Sequence, residues 1–208
     1  MILVAGMRHS GSTALFNILR LAYESMGKKI FSDYCERIDL LSLDINDYDV
    51  VLIKIHEPRD DMVELADVVI TTTRDLRDTV ASAVRRGFYL LKQLNSVVEY
   101  SKYNRLLHSF WSSSSDYNFV YEKFIKDGIK EVDNILQYLD IKGGMSAEIC
   151  EMVSDLPTDN YATTLLTPQH ITDPERKESF SSTLQLKDII EIERNNYAWL
   201  IDNGYELK

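Results

Sequence analysis

At 208 residues the chain is long enough for one sizeable domain with its own core. It is 45% hydrophobic and 27% charged, outside the disordered and fibrous classes, and its net charge of −10 argues against non-specific nucleic-acid binding or docking on an anionic membrane. Two cysteines outside any metal or disulfide spacing, no apolar stretch of transmembrane length, and a Met1–Ala5 run too short for a signal core point to a cytoplasmic protein.

The chain opens on "ILVAG", a buried parallel strand, followed by the loop "MRHSGST" and a helix to about Met26, with Gly27 as its stop signal. A second strand is expected around Lys29–Phe31. The apolar runs 49–56, 67–73 and 117–122 read as further buried strands. Helices are expected over 75–86, about 91–112, 128–140, 145–154 and 184–203. Leu76, Val80 and Val84 form the core stripe of the first of these. The alternation predicts a three-layer α/β fold, a parallel sheet flanked by helices, in a single domain spanning 1–208. Residues 155–183 hold Pro157, Pro168 and Pro174 among Thr, Asp and Ser, and read as a lid.

Gly6 and Gly11, separated by four residues and followed by Ser12-Thr13, have the spacing of a phosphate-cradling loop. A strand–loop–helix junction aims several N–H groups and a positive helix end at one anion, and the Ser12 and Thr13 hydroxyls add donors. The lysine of an ATP-binding loop is missing, and the cations nearby are Arg8 and His9. The second buried run ends in Lys54-Ile55-His56, where a kinase or ATPase would place a magnesium carboxylate. Alternation puts Lys54 and His56 on one face at the carboxyl edge of the sheet, suited to a charge clamp and a general base. Arg74 leaves the next strand, Asp75 is a candidate N-cap, and Ser82 follows about two turns into the helix. Arg77, Arg85 and Arg86 read as a solvated face.

Taken together, these residues resemble the sulfotransferases that use 3′-phosphoadenosine 5′-phosphosulfate (PAPS). Arg8-His9-Ser10-Gly11-Ser12-Thr13 resembles their phosphosulfate loop, and Lys54-Ile55-His56, with Pro58, resembles their Lys-Thr-His strand end. Arg74 and Ser82, with Asp78 between them, match the pair that binds the 3′-phosphate. Tyr121-Glu122 matches a strand end whose tyrosine lies near adenine. The resemblance runs collinearly through residues 1 to about 125. Beyond that, Arg176-Lys177 is similar to a segment that folds over the 3′-phosphate, although Glu178 stands where that family has glycine. His170 sits in the same stretch. His9 stands where Lys or Arg is usual, and Ala14 where an aromatic often follows the loop.

The resemblance implies a P-loop-like sulfotransferase architecture and in-line transfer of the sulfuryl group from PAPS to a hydroxyl or amine. His56 would be the base, with Glu57 the next candidate; Lys54 would act with it. The cofactor-binding residues would be Arg8, His9, Ser10, Gly11, Ser12, Thr13, Arg74, Ser82, Tyr121, Arg176 and Lys177. No metal is expected, and the acceptor would be a small molecule or a carbohydrate. Tyr100, Tyr103, Phe110 and Trp111 either line an acceptor cleft or pack in the core. Two other classes share the first loop: a P-loop kinase for a small molecule, and a non-catalytic nucleotide-binding module.

Overall fold

The computed structural model describes residues 1–37, 44–170 and 180–208. Its strands are β1 (Ile2–Gly6), β2 (Ile30–Tyr34), β3 (Val50–Lys54), β4 (Val68–Thr73) and β5 (Tyr117–Val120). They form one five-stranded sheet in the order β2-β3-β1-β4-β5, every pairing parallel. In the centre, Val4 of β1 lies opposite Lys54 of β3 and Ile70 of β4. Between and after the strands come α1 (Ser12–Ser25), α2 (Asp60–Leu65), α3 (Leu76–Arg85), α4 (Tyr89–Leu94), α5 (Val97–Ser112), α6 (Tyr121–Lys126), α7 (Gly128–Tyr138), α8 (Ser146–Ser154), α9 (Tyr161–Thr164), α10 (Leu186–Asn195) and α11 (Tyr197–Asp202).

The period of two along each strand divides the core into layers. Ile2, Val4, Leu52 and Ile70 face one side and pack with Leu15 and Leu19 of α1, Ile135 of α7 and Ile149 of α8. Leu3, Ala5, Ile53 and Val69 face the other side and meet Met62 of α2 and Trp111 of α5. Beyond α5, Val80 of α3 and Ile192 of α10 build a further apolar layer. This is the three-layer α/β arrangement, and because all strands run one way their carboxyl ends share a single edge.

Several boundaries differ from the sequence reading. The helix expected at 91–112 is two, α4 and α5, divided at Asn95 (φ 50°) and re-started by Ser96, whose Oγ accepts from the N–H groups of Val98 and Glu99. The helix expected at 184–203 breaks at Asn196, whose side chain is buried and donates to Ser101 Oγ (2.8 Å). A tertiary partner competes there with helix continuity. The run 117–122 leaves the sheet after Val120, so Tyr121 and Glu122 open α6. In α3, Leu76 and Val80 are buried but Val84 is 37% exposed, and Ala81 and Ala83 take its place in the core. Within 155–170 the chain is held down by a hydrogen bond from Asn17 Nδ2 to Thr164 O (2.7 Å) and by buried Leu165.

Candidate functional site

The loop after β1 is shaped by glycine at two points. Gly6 has φ 119°, and a Cβ there would lie 2.8 Å from Thr72 O. Gly11 has φ 90°, and a Cβ there would meet Tyr121 Cδ2 at 2.4 Å. Both positions need a left-handed backbone and a close approach that only glycine allows. Between them, Ser10 Oγ donates to Met7 O (2.6 Å) and lies 2.5 Å from Thr72 Oγ1. Ser10 therefore braces the turn. No side chain caps the start of α1, so the N–H groups at that helix end retain capacity for an external acceptor.

Lys54 ends β3 almost wholly buried, and its Nζ donates to Thr13 Oγ1 (2.7 Å). Burial, followed by the charges of Arg86 and Arg8, lowers its pKa from 10.5 to about 7. His56 is 5% exposed, with Nδ1 2.9 Å from Gly6 O. A carbonyl only accepts, so Nδ1 carries the proton and Nε2 is the basic nitrogen. Burial, with Lys54 and Arg8 nearby, holds this imidazole well below its usual value, so it is neutral. Trp111 Nε1 donates to His56 O (2.7 Å) and fixes its backbone. Beside it lies a cavity of about 80 Å³, lined in part by Tyr34, Glu36, Glu57 and Arg59.

Arg8 and His9 diverge. Arg8 donates to Glu57 Oε1 (2.6 Å), approaches Glu36 (3.6 Å), and shares Glu57 with the Tyr103 hydroxyl. His9 has φ 62° and turns towards α3. Its Nδ1 accepts from Arg86 Nη1 (3.0 Å) and lies 3.5 Å from Ser82 Oγ, while its buried Nε2 has no partner. Burial, then the nearby charges of Arg86, Arg74 and Lys54, push His9 well below the usual histidine value. It is neutral, and so no substitute for a loop lysine.

Arg74 donates to His9 O (3.3 Å), and its guanidinium lies 4.4 Å from the centre of the Tyr121 ring. Arg74, Ser82 and Tyr121 thus gather around the loop. Asp75 caps α3 by accepting from Arg77 N (2.8 Å). Glu122 Oε1 accepts from Asp75 N (2.8 Å), joining α6 to the start of α3.

Some assignments change. Arg77 is 3% exposed and pairs with Asp75 and Glu193, so it is structural and not on a solvated face. Arg86 leaves that face as well, turning to His9, whereas Arg85 reaches Thr183 Oγ1 (2.9 Å) at the surface. Trp111 and Tyr100 are core residues, and Phe110 packs edge-on to Trp111 at 4.9 Å. Tyr103 instead reaches Glu57. His170 accepts at Nδ1 from Thr167 N (2.9 Å), and burial with Arg86 and Lys54 nearby pushes it down to about 3. Arg176, Lys177 and Glu178 lie outside the described residues. The sequence signal for Arg86 beside the loop is its spacing: it follows Ser82 by four, one turn along the same helical face.

No family model and no curated protein matches the sequence. Solved structures do share its shape. Mouse sulfotransferase SULT7A1 complexed with PAP aligns with a TM-score of 0.69 at 14% identity, over 98% of this chain and 85% of that one. Retinol dehydratase in complex with androsterone and inactive cofactor PAP aligns at 0.61 and 15%, over 100% and 82%. The same enzyme with retinol and PAP aligns at 0.60 and 14%, over 100% and 82%. At such identities the likeness is one of fold: the chain has the sulfotransferase fold.

Proposed function

Starting from that fold, we propose that this chain is a PAPS-dependent sulfotransferase acting on a hydroxyl or amine of a small molecule or carbohydrate. The observation that carries the reading is positive charge gathered without acid partners at the carboxyl edge of the sheet. Lys54 and Arg86 meet around the loop, and among the described residues no carboxylate pairs with either. A protein that buries cations in this way has prepared a place for an anion.

The residues present suit a phosphorylated adenosine. The uncapped N–H groups of residues 10–13 suit a 5′-phosphate, with the Thr13 hydroxyl and Lys54 beside them. Arg74 and Ser82 suit a 3′-phosphate, and the Tyr121 ring, held between Gly11 and Arg74, suits the adenine. PAPS, when bound, supplies an activated sulfuryl group and a phosphate leaving group. Lys54 and the loop amides oppose charge growing on the leaving oxygen. His56, with Nδ1 held by Gly6 O, offers Nε2 as the base for the acceptor's proton.

The test is a set of titrations with PAP, ADP and ATP, each with and without magnesium. Tightest binding of PAP, unchanged by magnesium, is expected. Metal-dependent ATP binding with no preference for PAP would overturn the reading in favour of a kinase.

A further inference from the structure

We infer that Arg86 is an anion-binding residue of this same site, supplying from α3 the positive charge that the loop lacks at position 9. The inference rests on the reading above and deepens it. The loop's own residue is silent: His9 is buried and neutral, and its Nδ1 accepts a hydrogen bond from Arg86 Nη1 at 3.0 Å. The cation beside position 9 is therefore Arg86, reaching across from the C-cap of α3.

Its surroundings distinguish it from the arginines that the fold holds in ion pairs. Arg8 pairs with Glu57, Arg20 with Glu24, Arg59 with Asp61, and Arg77 with Asp75 and Glu193. Arg86 is half-buried and, among the described residues, pairs with no carboxylate. Burial without a counter-charge lowers its proton affinity. The titratable groups it acts on are Lys54, His9, His170 and the Tyr100 hydroxyl, none of them a carboxylate. A cation at a helix C-terminus gains from the helix dipole, but a solvated arginine would gain as much there. Beyond the hydrogen bond to His9, turning inward towards two histidines and a buried lysine has no return in the protein alone. It has one when an anion is bound, because a guanidinium with five donors keeps most of them after meeting His9. Ser82, one turn earlier on α3, also faces His9 Nδ1 at 3.5 Å, so the two donors point to the same place.

The test is PAP affinity by calorimetry for wild type, Arg86→Gln, Arg86→Ala and the double variant Arg86→Gln/His9→Lys, with Lys102→Ala as a surface control. Circular dichroism and thermal melts establish that each variant is folded. Loss of a charge-assisted contact should weaken PAP binding by about 10- to 100-fold in both single variants. His9→Lys should recover most of that loss by returning a cation to the loop. Wild-type affinity in Arg86→Gln, or a loss that His9→Lys does not relieve, would overturn the inference. Failure of the wild type to bind PAP is a separate result and would overturn the sulfotransferase reading itself.

Discussion

Replacing Lys54 with methionine removes an ammonium group while keeping a side chain of similar reach in an almost wholly buried position. In the protein without ligand, burial and the charges of Arg86 and Arg8 hold Lys54 at about 7 instead of 10.5. At about 1.4 kcal/mol per unit of pH, that displacement amounts to roughly 5 kcal/mol against the charged form. At pH 8 the group is mostly uncharged, and a docked phosphate restores the charge. Wild type should therefore take up a large part of a proton per PAP bound at pH 8, and PAP affinity should fall as pH rises above 7. Phosphate groups, with a second pKa near 6, are already ionised there and add little. Calorimetry in buffers of different ionisation enthalpy reads the uptake directly, and Lys54→Met should lower it by nearly the whole amount. The sign for stability is the reverse. The folded value lies below the unfolded one, so Lys54 costs stability most fully below pH 7, and the cost fades towards pH 10.5. Ligand-free Lys54→Met should then melt above wild type at pH 7, with the gap closing at higher pH. Equal proton uptake by the two proteins at pH 8 would refute the reasoning.

Gly11→Ala forces a Cβ to within 2.4 Å of Tyr121 at φ 90°; it should cost about 1–3 kcal/mol in stability and weaken PAP binding at least about tenfold. Adding Tyr121→Ala should relieve the steric part of the stability loss, as thermal melts would register. Glu193→Ala breaks the buried pairing of Arg77 and should cost about 3 kcal/mol, a fall in Tm of roughly 6–12 °C, in urea or thermal unfolding. Trp111→Phe leaves the His56 carbonyl without its donor. It should cost about 1–3 kcal/mol in stability and lower turnover while PAP affinity stays close to wild type.

The parts of the fold that local patterning dictates were legible in the sequence. A short apolar strand, a loop with glycines at 6 and 11, and an amphipathic helix form where the pattern places them, since each answers to neighbouring residues. The spacings Lys54–His56 and Arg74–Ser82 were legible for the same reason, because strand and helix periods decide which side chains share a face. The fate of His9 was not. Its neutrality depends on burial, with Phe88 4.8 Å away edge-on, and on Arg86, which only the tertiary fold brings near. Arg77 looked solvated because Glu193, its partner, lies 116 residues further on. The breaks at Asn95 and Asn196 are not legible in the pattern because apolar residues continue on both sides of them. Ser96 as an N-cap was the local signal available for the first. The question whether Arg8 or His9 supplies the loop's charge takes a different form in three dimensions: Arg8 is engaged by Glu57, and among the described residues Lys54, Arg74 and Arg86 are cations beside the loop with no carboxylate paired to them.

The central claim is sulfuryl transfer with His56 as base, and transfer of radiolabelled sulfur from PAPS to a panel of small hydroxyl- and amine-bearing molecules and glycans tests it most directly. The account predicts labelled product with the wild type and, for His56→Ala, a turnover lower by about 10²–10⁴-fold with PAP affinity nearly unchanged. Undiminished turnover in His56→Ala, or PAP binding with no transfer to any member of the panel, would contradict it.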